Sequence, residues 1–348
     1  MTLHFPAPSL PRVVHLVDDL NWGGVTRGVR HLVQDPVLAR VARQSIVEVK
    51  RGSVTTPALE ADLILSHLSV SWRNLPLLSA LRGRYAHLPL VHVEHSYCEG
   101  FVAGNVMERL RFQTLLRSAY ALFDGVVGVS AGQTGWLRDR ALVAPERLRT
   151  IRSCAGIDDF LALPVATGRA RAFGALGRFD RQKGFDTLIR AFLAVRTPGA
   201  TLTLVGDGPE RAALEALAHG DPRIRFAGYA SSPATLMARF DAVLMPSRWE
   251  AYGLVGVEAM AAGRDLLVSG VDGTADHVQR GATVCRGRRA EDWTAAIERL
   301  AAREPAIATR LREIGREKVR HAEAEFRTAY AMLFADFCAA RISPAMAG

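Results

Sequence analysis

The sequence predicts an α/β protein: two doubly wound parallel sheets facing a cleft, with helices at the C-terminal end. Three observations carry this. Short apolar runs such as RVVHLV at 12–17 and AVLM at 242–245 recur along the chain, as expected of strands covered on both faces. Between them lie amphipathic stretches rich in Ala, Leu and Arg, with apolar residues at helical spacing. A length of 348 residues, 49% of them hydrophobic and 23% charged, suits two globular domains.

In chain order, strands are expected at 12–17, 45–49, 62–66, 88–94, 125–129 and 149–152, with helices at 25–34, 105–121 and 131–140. A second strand series follows at 173–176, 201–205, 224–226, 242–245, 265–268 and 283–285. Its helices fall at 184–195, 209–218, 232–240, 253–262, 274–280 and 291–302. The helix near 209 is well signalled, with Pro209 in its first turn and Glu210 just after. Pro, Gly and polar residues around 158–171 mark a linker between the two series. The domains are therefore drawn at 1–160 and 161–325, with a C-terminal helical segment, 326–348, expected to pack back on the first.

The net charge of +9 is spread along the chain. That suits an anionic ligand or an acidic surface better than a nucleic-acid reader, which would concentrate its cations. All but three of the 44 basic residues are Arg, so Lys183 stands out. The four cysteines are scattered, fitting reduced thiols in a cytoplasmic protein rather than a disulfide frame. No apolar run approaches the roughly 18 residues of a membrane span, and the opening MTLHFPAPSLPRVV lacks the order of an export signal. His92 and His95 lie three apart on an expected strand and so face opposite ways, which leaves no metal site there. His95 is instead a candidate to hydrogen-bond a substrate, or else a satisfied histidine near the core. There is neither a Gly-x-Ser-x-Gly elbow nor a P-loop.

Four stretches sit where a strand gives way to a helix, the favoured place for an anion. The first is DDLNWGGVTR at 18–27, where Gly23 and Gly24 would let backbone approach a phosphate; a tight turn is the plain alternative. The second, GALGRFDRQKG at 174–184, sets Arg178 and Lys183 near a helix start, where the helix dipole disfavours cations unless an anion lies between them; two solvated surface cations are the plain alternative. The third, VGDGPE at 205–210, reads as a turn needing no ligand. In the fourth, SRWEAYGLVGVEAMAAG at 247–263, Glu250 precedes a helix whose N–H groups at Gly253, Leu254 and Val255 would face a phosphate. Glu258 lies on its second turn. Two carboxylates flanking a phosphate match sugar hydroxyls, diphosphate and ribose hydroxyls in series. The rival reading makes Glu250 a helix-start charge and Glu258 a buried ion-pair partner.

With these residues in hand, the chain resembles the retaining glycosyltransferases of family 4, which have the GT-B fold of two Rossmann-like domains. The likeness rests on Gly23-Gly24, the strand ending at His95, Val127-Gly-Val-Ser130 and Gly156-Ile-Asp158. It continues through Gly177-Arg178 with Lys183-Gly184, Gly206-Asp-Gly-Pro-Glu210, and two glutamates separated by seven residues, Glu250 and Glu258. The resemblance implies that Arg178 and Lys183 hold the donor diphosphate, that Glu250 and the Gly253, Leu254 and Val255 amides engage sugar and phosphate, and that Glu258 meets the ribose. It places Gly24 on the phosphate and His95 toward the sugar. It also implies a nucleotide-sugar donor, with UDP ahead of GDP, no cofactor or metal, and no protein nucleophile. The acceptor would be a sugar or lipid-linked glycan, in the cytoplasm or at the inner face of a bacterial membrane. Arg109, Arg111 and Arg117 beside Leu110, Phe112, Leu115 and Leu116 suggest peripheral membrane contact there, or simply a solvated helix flank. Ala155 replaces the usual Asn before Gly156, Arg264 the usual Pro, and Asp276 a usual Glu. A nucleotide-sugar epimerase or hydrolase of the same fold, and a noncatalytic GT-B partner subunit, are the alternatives.

Overall fold

The structure, a computed structural model, describes residues 10–18, 20, 23–50, 52–53, 55–228 and 232–339. Asp19, Asn21 and Trp22, ahead of the Gly23-Gly24 pair, and residues 340–348 of the C-terminal segment therefore lie outside it. The chain divides into two compact units: residues 1–96, 106–155 and 324–348 form one, residues 97–105 and 156–323 the other.

The first unit is built on β1 (Arg12–Val17), α1 (Gly24–Gln34), β2 (Arg43–Glu48), β3 (Leu63–Ser66), α2 (Leu75–Arg84) and β4 (Leu90–Glu94). The chain runs on through α3 (Glu99–Asn105), which belongs to the other unit, to α4 (Arg109–Tyr120), β5 (Gly125–Gly128), α5 (Ala131–Asp139) and β6 (Leu148–Thr150). The sheet order is β2-β1-β3-β4-β5-β6, and every pair is parallel. β3 and β4 are buried along their whole length; β3 is apolar up to Ser66, whereas β4 also buries His92 and Glu94 among its apolar residues. Periodicity does not reveal α2, where Pro76 and a run of Leu blur the apolar stripe; Leu77, Leu78 and Leu81 are its buried side. The helix expected over 105–121 begins only at Arg109. The reason is a change of core: α3 groups with the second unit, while α4 buries Leu115, Leu116, Ala119 and Tyr120 in the first.

The second unit comprises α6 (Asp158–Leu161), β7 (Ala172–Leu176), α7 (Phe185–Ala194), β8 (Thr201–Val205), α8 (Arg211–Leu217), β9 (Ile224–Ala227) and α9 (Pro233–Met237). It continues with β10 (Ala242–Met245), α10 (Leu254–Ala261), β11 (Asp265–Val268), α11 (Thr274–Gln279), β12 (Thr283–Val284), α12 (Ala290–Ala301) and α13 (Pro305–Val319). Its parallel sheet runs β12-β11-β10-β7-β8-β9 around a core containing Phe173, Phe179, Phe185, Phe192 and Trp293. The C-terminal helical stretch is likewise split, into α13 and α14 (Ala322–Cys338). Here the chain passes into the first unit at Ala324, where Asp336 of α14 takes an ion pair from Arg149 at 2.7 Å.

Strand order positions the site. From β7 the chain moves to β8 and β9 on one side, then crosses to β10 on the other. The loops after β7 and β10 therefore diverge at a switch point, where open α/β sheets form a ligand crevice.

Candidate functional site

The two loops at this switch point are bound to each other. After β7, Asp180 leads a single 3₁₀ turn, Arg181–Lys183, and Gly184 turns the chain left-handed (φ 67°) into α7. After β10, Arg248 N–H donates to the Gln182 carbonyl at 2.8 Å, and the Gln182 side-chain amide donates to the Trp249 carbonyl at 3.2 Å. The Arg248 guanidinium reaches the Arg181 carbonyl at 2.7 Å and both carboxylate oxygens of Asp186. Burial pushes the Asp186 carboxyl up, but the guanidinium outweighs this and holds it below the usual range. Multiple charge-assisted bonds of this kind fix loop geometry before any ligand arrives.

At the centre lies Lys183, whose Nζ stands 2.5 Å from Glu250 Oε2. Glu250 is 7% exposed and also accepts from the Ser247 hydroxyl at 3.1 Å. The methylenes of Lys183 lie along Gly177, where a Cβ would sit 3.2 Å from Lys183 Cε. Gly253 closes the second loop at φ 86°; a Cβ there would come 2.5 Å from Met245 Cε. Its left-handed turn opens α10, and no acceptor among the described residues takes the N–H groups of Gly253, Leu254 or Val255. Lys183 and three unpartnered amides thus stand at one strand-end crevice, a combination that stabilises an anion.

The glycines of Gly206-Asp207-Gly208 have a structural purpose. A Cβ on Gly206 would strike the Gly177 carbonyl, and one on Gly208 the Phe179 carbonyl. The two turns are stitched together by Gly177 N–H to Val205 and Phe179 N–H to Asp207, at 3.0 and 2.8 Å. This stretch therefore shapes the backbone that carries Arg178 and Lys183.

The other candidates are placed as follows. Arg178 is exposed and donates through Nε to Asp180 at 2.6 Å, so each expected cation already has a carboxylate partner, which relieves the helix-start penalty without a ligand. Glu258 is 2% exposed on the second turn of α10, among residues buried on every side of it. In the first unit, Gly23 caps α1 with no side-chain bond, and Gly24 is exposed beside it. His95 lies just beyond β4 and hydrogen-bonds His67 at 2.8 Å. His92 is a core residue, packed on Tyr120 and Phe123 and 3.4 Å from Glu94 Oε2.

Sequence reasoning does not single out three further residues. Asp272 holds the main chain of Glu250 (3.3 Å), the Gly100 N–H (2.9 Å) and the Cys98 thiol (3.2 Å). Burial and the Asp272 charge together raise the thiol's pKa. His277, fully buried, bonds through Nε2 to the carbonyls of Tyr252 and Gly253 at 2.9 and 3.0 Å, fixing the turn that opens α10. His67, the partner of His95, is the third. None sits in a recognisable motif; His67 and His277 are polar residues buried among apolar neighbours, and Asp272 is half-buried.

Residues 170–329 match the family described as glycosyl transferases group 1. The lipopolysaccharide core biosynthesis glycosyltransferase LpsD of Rhizobium meliloti is 30% identical over 323 residues, covering 87% of this chain and 90% of LpsD. The chain belongs to the group 1 glycosyltransferases. A glycogen synthase of Mycobacterium tuberculosis is 34% identical over 252 residues, 68% of this family member, which spans 60% of the synthase's length. Among solved structures, HepE of Anabaena in complex with UDP-glucose superposes with a TM-score of 0.70 at 19% identity, covering 95% of this chain and all of HepE. The two parallel six-stranded sheets with their flanking helices are those of the GT-B fold. No helix among the described residues is long and apolar enough to cross a membrane.

Proposed function

We propose that the chain transfers a hexosyl group, with retention of configuration, from a nucleoside-diphosphate sugar to a hydroxyl of a glycan or glycolipid acceptor. This reading places it in family 4, in bacterial cell-surface glycan synthesis. UDP is favoured over GDP as the nucleotide, in keeping with the UDP-glucose held by HepE. The observation that carries the reading is the Lys183–Glu250 pair beside the open amides of Gly253, Leu254 and Val255 at a strand-order switch.

The chemistry follows from charge. The donor diphosphate takes the place of the Glu250 carboxylate at Lys183 Nζ and accepts from the three amides. Lys183, with Arg178 turning from Asp180, then neutralises the charge that grows as the sugar C1–O bond breaks. These cations and dipoles supply what a metal would otherwise provide. Glu250, released, accepts hydrogen bonds from sugar hydroxyls, and Glu258 is assigned to the ribose. The acceptor oxygen bonds C1 on the face the phosphate leaves, and the departing phosphate oxygen takes the acceptor's proton, so no protein nucleophile enters. Gly23, Gly24 and His95, at the carboxyl ends of β1 and β4, are assigned to phosphate and sugar hydroxyl contacts.

A lipid-linked acceptor at the cytoplasmic face of a membrane suits the surface around α4. Met107 is 98% and Leu110 81% exposed, and the Arg111 guanidinium lies over the partly exposed Trp72 ring. Apolar tips among cations fit an anionic lipid surface.

The test is thermal-shift binding of UDP against GDP, followed by a panel of nucleotide sugars with and without acceptors. The reading expects stabilisation by UDP and acceptor-dependent release of UDP. Sugar inversion or hydrolysis without an acceptor would indicate an epimerase or hydrolase, and binding without turnover a noncatalytic subunit.

A further inference from the structure

A continuous hydrogen-bonded file of side chains crosses four adjacent strands of the first sheet. It starts at Gln44 on β2, passes through His15 on β1 and His67 just after β3, and ends at His95 just after β4. Gln44 Oε1 is 3.1 Å from His15 Nε2, His15 Nδ1 is 3.0 Å from His67 Nε2, and His67 Nδ1 is 2.8 Å from His95 Nε2. The rings stack with centroids 5.3 and 5.1 Å apart and planes inclined by 17° and 28°. His15 has no exposed surface and His67 is buried.

One end of this file sets its direction. The Gln44 amide nitrogen donates to the Leu32 carbonyl at 3.1 Å, so the amide oxygen must be what faces His15. An oxygen there requires a proton on His15 Nε2, which leaves His15 Nδ1 as an acceptor. The same logic then puts the proton on His67 Nε2 and, one step further, on His95 Nε2. Reversing the file would turn the Gln44 oxygen against the Leu32 carbonyl and leave a buried polar clash, worth enough to bias the tautomers strongly.

We propose that Gln44, His15 and His67 are positioning residues that hold His95 as the neutral Nε2–H tautomer, presenting an Nδ1 lone pair that accepts a hydrogen bond from a substrate hydroxyl. This rests on the assignment of His95 to the substrate. All three rings stay uncharged near neutral pH. Burial lowers His15 to about 4; it also lowers His95 to about 4, against a raising pull from Glu94 and with a lowering push from His92. His67 is pushed well down by burial and by the facing His95, His15 and His92. A charged His95 would donate from both nitrogens, and the acceptor function would be lost.

Long-range proton–nitrogen correlation spectra of the ¹⁵N-labelled full chain read each tautomer directly. The expected wild-type result is Nε2–H, with bare Nδ1, for His15, His67 and His95, unchanged from about pH 8 to about pH 5. Gln44→Met removes the directing oxygen at the far end; His95 should then populate the Nδ1–H form. Turnover should fall roughly 10-fold in kcat with little change in the donor KM, and His67→Phe should cost roughly 10- to 100-fold, the range for groups that orient a working imidazole from behind. A wild-type His95 protonated at Nδ1, or a Gln44→Met protein whose His95 tautomer does not change, would overturn the file while leaving the substrate assignment standing. Unchanged turnover in His95→Ala would overturn that assignment, and this proposal with it, whatever the tautomers.

Discussion

Replacing Lys183 by Met separates its two possible purposes, neutralising Glu250 and holding a diphosphate. The side chain keeps its length, but Glu250 is left 7% exposed with the Ser247 hydroxyl at 3.1 Å as its one remaining side-chain partner among the described residues. Orphaning one member of a buried pair costs about 3–5 kcal/mol. The Lys183 side chain is 21% exposed, which points to the lower end, about 3 kcal/mol. For a unit of this size that is a fall of roughly 6–12 °C in its melting transition. Adding Glu250→Gln removes the stranded charge, so the double variant should regain most of the lost stability. Neither variant should regain transfer, because the cation at the leaving phosphate is gone; a loss of about 100-fold or more in kcat is expected. Calorimetry follows the stability, and nucleotide release from the donor follows the chemistry. A double variant that melts and turns over like the wild type would refute the reasoning, since Lys183 would then serve only its carboxylate neighbour.

Gly253→Ala should leave the protein folded but abolish tight UDP binding in titration calorimetry: the φ of 86° disfavours a side chain, and the added Cβ would press on Met245 and Glu250. Acid should unfold the first unit early. His15 has a folded pKa of about 4 against an ordinary 6.5, so the unfolded chain takes up the proton first. The stability due to the neutral ring is intact above about pH 6.5 and lost as pH falls toward 4, about 3 kcal/mol in all, measurable as the urea midpoint against pH. Arg312→Met should destabilise the second unit by about 3 kcal/mol through its buried partner Asp265, 2.8 Å from Arg312 Nε, the lower end of the range because Arg303 still pairs with Asp265 at 2.9 Å, yet leave the donor KM near normal once the protein is folded. Burial already raises the Asp265 carboxyl despite its cations, so it would be protonated more readily in the variant.

Much of the fold was legible because strand and helix are written in local periodicity. β1, β8, β10 and β11 lie where their apolar runs end, to the residue, and the glycines at 184 and 253 mark the turns into α7 and α10. The strand-to-helix junctions carrying Lys183 and Glu250 could be found for the same reason. Helix breaks were not legible at 106–108 or 320–321, because amphipathic pattern continues across them while the chain changes from one core to the other.

What the sequence determined alone was the alternation of elements, the glycines at sharp turns and the family. The first two depend on residues a few positions apart, and the family on short motifs spread along the chain. Only tertiary structure set β10 beside β7, and so brought Lys183 against Glu250 and tied Asp272 to Gly100. It alone lined up Gln44, His15, His67 and His95 across four strands. Sheet order is decided by how whole helices and strands bury their apolar faces together, and a buried polar side chain takes whatever partner that packing leaves within reach.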